Sequence, residues 1–307
     1  MKVIIADTLL GHPGLRPPLF ENGMISSMAF RDMMDLHTHG IGRYDTRAGR
    51  ARDILRLAEL QRGAGVSRIL PTIYAGPVDT MRMQMAAVRE AMEVEKEGTI
   101  VGVHLEGPFL NPVRCGALDR DAFMRPTLPN LRRLIEGFGD VLKIITIAPE
   151  LKGALRVIEK CAELGVLVNM GHSEATLKEA REGKRAGATG VTHIFNAMRP
   201  FHHREPGLVG FGLLDEDLYV EVIGDGIHLR PETLELIFKV KRKDRIILVS
   251  DSVRGPVYKG GILQGSGMSL KEAAYSLKGM GFREDWVTKA VRENPRRYLR
   301  LRRRPSL

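Results

Sequence analysis

Two histidines one residue apart, His37 and His39, stand in Asp35-Leu36-His37-Thr38-His39-Gly40, directly after the apolar pair Met33-Met34. Side chains alternate across a strand, so residues two apart point the same way and two imidazoles can grip one metal ion. An isolated His-x-His says little. Here it is followed by Glu106, His172, His193 and Asp251, each at the end of a later apolar run. Glu106, His172 and His193 supply two imidazoles and one carboxylate with an open position for water, the layout of catalytic rather than structural zinc. Iron or manganese suits the same nitrogen and oxygen donors, so the expected cofactor is a divalent metal, one or two ions, with zinc first.

Asp251, in Ile247-Leu248-Val249-Ser250-Asp251-Ser252, is the expected general base. A carboxylate beside a metal-activated water can accept its proton and later return it to a leaving amine. Taken singly, each histidine is better explained as a hydrogen-bonded core residue, and Asp251 as a cap on the next turn. As a set they are a hydrolytic centre. Three further features suggest a site for an anionic substrate group. Asn196 offers an amide among backbone donors, Arg204 brings a guanidinium on a Pro/Gly-rich loop, and Asp225-Gly226-Ile227-His228 closes a strand. Arg suits bidentate contact with phosphate. For Arg204 alone, a surface ion pair is the plainer reading.

These residues need a frame that brings distant segments together. Eight apolar runs read as strands: Met33–Leu36, Val66–Pro71, Ile100–Leu105, Val141–Ile147, Val166–Met170, Gly190–His193, Tyr219–Ile223 and Arg245–Val249. Several are continuously apolar, as expected of parallel strands buried on both faces. Helical patterns lie between them, at Arg50–Gln61 (ended by Gly63 and Gly65), Val78–Glu95, Leu151–Leu164, Glu174–Ala186 after Ser173 as N-cap, and Pro231–Val240. Strand–helix alternation repeated about eight times predicts a (β/α)8 TIM barrel. The candidate ligands all fall at or just past strand C-termini, which converge on one face only in a closed barrel. An open doubly wound sheet is the alternative, but no GxGxxG follows the first strand.

Composition excludes more than it assigns. The chain has 307 residues, 43% of them apolar, enough for one large domain with a sizeable core. Cys115 and Cys161 have no CxxC spacing, and Met1–Leu10 is too short an apolar run for a secretory signal. A cytoplasmic protein with no membrane span is expected. The formal charge of +10 gathers toward Arg292–Arg304, where Tyr298 is the one aromatic available for base stacking. A solvated basic cap is therefore favoured over nucleic-acid binding.

DLHTHG, GVHLEGPFL, NMGHSEAT, THIFNAM, REPGLVG, GDGIHL and LVSDS, in this order, resemble the amidohydrolase superfamily, and within it the N-acetylglucosamine-6-phosphate deacetylases. The resemblance runs from about Met33 to Leu299. It implies hydrolysis of the acetamide of N-acetylglucosamine 6-phosphate, giving glucosamine 6-phosphate and acetate. By this resemblance Glu106, His172 and His193 would hold the main metal, and His37 and His39 would help hold a second with Asp251 close by. Asn196, the main chain at Ala197, and His228 would contact the sugar phosphate. Arg204 would reach the phosphate of the neighbouring subunit, so a homodimer is implied.

Two departures stand out. Leu118 occupies the position where the family commonly carries a His that polarises the scissile carbonyl. The family's flanking β-sandwich is also expected to be largely absent, leaving 1–32 as its remnant (with Val3–Ala6 as one strand), 33–295 as the barrel and 296–307 as a basic tail. The alternatives are an amidohydrolase of the same fold acting on a different amide or N-acyl sugar, and a catalytically weak sugar-phosphate-binding barrel.

Overall fold

The computed structural model describes residues 30–255, 257–259 and 261–300; the strand expected at Val3–Ala6 and the Arg302–Arg304 run lie outside them. Eight parallel strands form one sheet in sequence order: β1 Met33–Thr38, β2 Val66–Tyr74, β3 Val103–Glu106, β4 Leu142–Ile147, β5 Leu167–Met170, β6 Gly190–Val191, β7 Tyr219–Ile223 and β8 Ile246–Val249. Around them lie α1 Ala51–Gly63, α2 Val78–Val94, α3 Leu128–Ile135, α4 Ala154–Glu163, α5 Leu177–Arg185, α6 Gly207–Leu214, α7 Pro231–Val240 and α8 Leu270–Gly279. Two shorter helices, α9 Glu284–Thr288 and α10 Asn294–Leu299, follow. This is the (β/α)8 barrel that the pattern predicts.

The seam between β1 and β8 is closed beyond the regular ladder. Thr38 bridges Ser252, and the Asp251 N–H donates to His37 O at 2.9 Å. The Asp35 carboxylate accepts from the backbone N–H groups of His37 (3.2 Å) and Ser250 (3.3 Å), tying the two edge strands through a side chain. Closure matters for chemistry because it sets the His37 segment beside the Asp251 segment.

Alternation along the strands sorts the core into two layers. Val103, Leu105, Ile145, Ile147, Val168, Val220 and Val222 pack outward against the helices. Met34, Leu36, Ile144, Leu167, Tyr219 and Ile247 fill the barrel axis near its N-terminal end, with Tyr298 of α10 among them. One step further toward the strand C-termini the axis turns polar: His104, Thr146, Asn169 and Glu221 are all buried there. Buried polar groups are tolerated only when paired, and these pair with one another, as detailed below. Truncating an axial residue such as Leu36, fully buried, to Ala is expected to cost about 2–5 kcal/mol.

Two expectations are corrected. The helix after β5 begins at Leu177, capped by Thr176 in a reciprocal capping box with Glu179, and not after Ser173. The Ser173 hydroxyl is engaged elsewhere, donating to Glu150 at 2.7 Å. Pro231 does open α7, as its preset φ favours. In addition, Arg296 belongs to α10 and pairs with Asp32, so the stretch up to Leu299 packs on the barrel.

Candidate metal centre

The strand C-termini deliver their polar residues through strained backbone. His172, His193 and Asp251 follow β5, β6 and β8 with φ of 48°, 24° and 47°. Non-glycine residues at positive φ cost on the order of 1–3 kcal/mol each and persist where the surroundings fix them. The turn they impose points all three side chains onto the axis. β1 loses register between Asp35 and Thr38, and His37 turns onto the same axis, its ring 4.7 Å from that of His104.

Six side chains meet there: His37, His39, Glu106, His172, His193 and Asp251, all buried. Glu106 Oε1 lies 3.1 Å from His172 Nε2 and 3.0 Å from His193 Nε2. Its other oxygen is 3.3 Å from His39 Nε2. His37 and His39 bring their Nε2 atoms within 3.2 Å of each other, and Asp251 Oδ1 faces them at 3.5 and 3.4 Å. Glu106 is 4% exposed, at the centre of the imidazoles.

Charge and hydrogen bonding fit a cation. Burial alone would push the Glu106 and Asp251 carboxyls up, but facing imidazoles hold Glu106 well below the usual range and Asp251 below it. The converse holds for the bases. Burial opposes charge on His39 and His193, yet the carboxylates opposite raise both to about 9. Without a cation the cluster thus recruits protons to balance its carboxylates. Three imidazoles are also locked from behind: His37 Nδ1 on Glu221 (3.1 Å), His39 Nδ1 on Thr72 O (3.0 Å) and His172 Nδ1 on Arg114 O (2.9 Å). That leaves Nε2 of each for a metal, the usual way outer partners orient ligating histidines. His193 Nδ1 is buried with no partner among the described residues.

The remaining predicted residues lie around this cluster. Asn196 is half-buried and donates to the carbonyls of His193 (3.3 Å) and Ile194 (3.4 Å). Ala197 sits at φ 51°, its carbonyl accepting from Ser173 N–H at 3.1 Å. His228 Nδ1 meets Asp225 Oδ2 at 2.7 Å. Arg204 is exposed, its backbone N–H donating to His202 Nδ1, and makes no ion pair among the described residues, so the surface ion pair expected for it is not found. Leu118 is half-buried on the loop after β3, which comes close to the cluster: a Cβ at Gly116 would lie 3.4 Å from Ala197 Cβ and 3.6 Å from His172 Cε1. Glu221 and Asn169, behind His37, were not anticipated. The legible signal was a carboxylate amid the apolar run Tyr219-Val220-Glu221-Val222-Ile223.

A (β/α)8 barrel carrying this His-x-His, glutamate, histidine pair and aspartate at its C-terminal mouth resembles the amidohydrolase superfamily. Its relatives within that class are amino-sugar phosphate deacetylases. The chain is 31% identical over 249 residues to N-acetylglucosamine-6-phosphate deacetylase of Bacillus subtilis, covering 80% of this chain and 63% of the relative. It is 34% identical over 223 residues to N-acetylgalactosamine-6-phosphate deacetylase of Escherichia coli, covering 72% and 59%. Among solved structures, a mutant of the Mycobacterium smegmatis N-acetyl-D-glucosamine-6-phosphate deacetylase in complex with N-acetyl-D-glucosamine-6-phosphate superimposes with a TM-score of 0.82 at 28% identity, over 88% of this chain and 77% of that one. No family model matches the chain. The chain spans about half to three fifths of the length of the curated relatives it matches.

Proposed function

We propose that this chain is a metal-dependent amide hydrolase that deacetylates N-acetylglucosamine 6-phosphate to glucosamine 6-phosphate and acetate. The observation that carries the reading is Asp251, a buried carboxylate 3.4–3.5 Å from the His37/His39 pair and beside the Glu106–His172–His193 set. The likeness to deacetylases supports the same chemistry. Glu106, His172 and His193 would hold the main ion, and His37 and His39, with Asp251 close by, a second; zinc suits these donors best. When bound, the metal supplies Lewis acidity that lowers the pKa of a water from about 15.7 toward 7.

Asp251 accepts the proton of the water that attacks the acetamide carbonyl. It hands that proton to the amine nitrogen as the C–N bond breaks, so acetate departs and the amine stays on the sugar. Held below the usual carboxylate range, Asp251 is ionised at neutral pH and ready to accept. Asn196, the main chain at Ala197, and His228 hold the sugar phosphate. Asp225 fixes the His228 ring by its Nδ1, leaving Nε2 for the ligand. Arg204, exposed and without an ion pair among the described residues, is available to the phosphate bound by a neighbouring subunit of a homodimer. A cytoplasmic location is part of the same proposal, in keeping with two cysteines without CxxC spacing; no described helix is long and apolar enough to cross a membrane.

A second reading has its own support. Leu118 cannot donate to a carbonyl oxygen, and the Escherichia coli relative is named for the galacto sugar. A related N-acyl amino-sugar phosphate is therefore the alternative substrate. Acetate release from both N-acetylated hexosamine 6-phosphates by metal-reconstituted protein, with Asp251→Asn as control, decides. Turnover on the gluco sugar, lost in the variant, is the expected outcome. No turnover on it with metal bound would overturn the substrate assignment.

A further inference from the structure

His37 is held from behind by a line of buried side chains that runs the depth of the barrel. Its Nδ1 meets Glu221 Oε2 at 3.1 Å, and the second oxygen of Glu221 accepts from Asn169 Nδ2 at 2.7 Å. Asn169 Oδ1 accepts from the Tyr298 hydroxyl at 2.5 Å. Tyr298 belongs to α10, which packs across the N-terminal end of the barrel, where Asn294 donates to Lys243 O (2.8 Å) and Ile246 O (2.7 Å). His37, Glu221, Asn169 and Tyr298 are each 2% exposed or less.

We infer that Glu221 is a positioning residue for the metal centre: it fixes His37 as the Nδ1–H tautomer with Nε2 free for the ion, and Asn169 and Tyr298 fix Glu221. The inference rests on the metal-hydrolase reading above. An ionised carboxylate only accepts, and a neutral imidazole carries one proton. Facing Glu221, that proton sits on Nδ1, and the lone pair of Nε2 is turned toward His39, Glu106 and Asp251. The cluster of His37, His104 and Glu221 is not itself a metal site. His104 has Nδ1 on Leu36 O at 3.0 Å and Nε2 on Thr146 Oγ1 at 2.9 Å, so neither nitrogen is free.

Glutamine at position 221 has the same size but reverses the bookkeeping. Its carbonyl must take the Asn169 N–H, which leaves its NH₂ against His37 Nδ1. His37 must then accept there and carry its proton on Nε2, aimed at the ion. Loss of such an outer partner typically weakens metal binding about 10–100-fold.

The test titrates Co²⁺ into metal-free wild type, Glu221→Gln, Tyr298→Phe and the surface control Glu163→Gln, reading the visible spectrum of the bound ion and the thermal midpoint without metal. Glu221→Gln should bind Co²⁺ about 10–100-fold more weakly with an altered spectrum, and the control should match wild type. Tyr298→Phe should weaken binding toward the lower end of that range, and it carries the test should Glu221→Gln not fold. A purely structural Glu221 would lower the metal-free midpoint and leave isotherm and spectrum unchanged, which overturns the inference alone. A wild type that binds no Co²⁺ overturns the metal reading and this inference with it.

Discussion

Under the proposed hydrolysis, Asp251 tests the general base and Leu118 the polarisation of the scissile carbonyl. Asp251→Asn keeps the shape and the oxygen that faces His37 and His39 but removes the basic site. Turnover should fall roughly 10²–10⁴-fold, the range for losing a positioned general base. Metal content measured after gel filtration should stay at the wild-type level. Loss of metal together with activity would recast Asp251 as a ligand first and a base second. Leu118 poses the reverse case, an apolar side chain standing where the family resemblance places a donor. Removing an oxyanion donor from an enzyme costs about 10²–10³ in rate, so Leu118→His should raise kcat on the acetylated sugar phosphate by on the order of tenfold or more. An unchanged kcat, with KM unchanged, would mean that another group already polarises the carbonyl. Both variants sit on segments that contact the cluster through backbone: Asp251 through its N–H to His37 O, and the Leu118 loop through Arg114 O to His172.

At the scale of elements, the helix after β5 offers a check that leaves chemistry alone. Thr176 accepts from Glu179 N–H, and the Glu179 side chain accepts from Thr176 N–H at 2.8 Å. Thr176→Ala should cost about 1 kcal/mol, lowering the thermal midpoint of a chain this long by roughly 1–2 °C with kcat unchanged. A midpoint equal to wild type would mean the cap is replaced by solvent. The Thr-x-x-Glu signature was legible at Thr176 and Glu179, yet Ser173, directly before the helical pattern from Glu174, was the expected cap. Its hydroxyl is drawn instead to Glu150, a tertiary contact that no local pattern carries. The barrel strands were legible for the converse reason: both faces are buried, so a strand such as Ile246–Val249 reads as one apolar run. The candidate ligands were legible because they stand at the ends of those runs. Glu221 was missed because it stands in the middle of one, where its role depends on which side chain the barrel sets behind it.

For the whole molecule, the centre's charge balance couples metal to stability. In the metal-free protein His39 and His193 titrate at about 9, against about 6.5 in an unfolded chain. Between those values the native state holds more protons than the unfolded state, so stability falls as pH rises from 6.5 to 9. Glu106 and Asp251 are held below the usual carboxylate range and stay ionised throughout, so they add nothing in this window. Metal binding runs the other way, because ligating imidazoles must be neutral and the ion takes the place of their protons. Raising pH therefore tightens binding and adds stability by mass action, about 2.7 kcal/mol when the free ion stands at 100 times its Kd. Thermal midpoints at pH 6.5, 7.5 and 9 should fall steadily in chelated protein, and the gap to Zn²⁺-loaded protein should widen with each step. A metal-free midpoint that is flat or rises over this range would mean the imidazoles do not share the carboxylates' charge, and the six residues would then be close neighbours without forming one electrostatic unit.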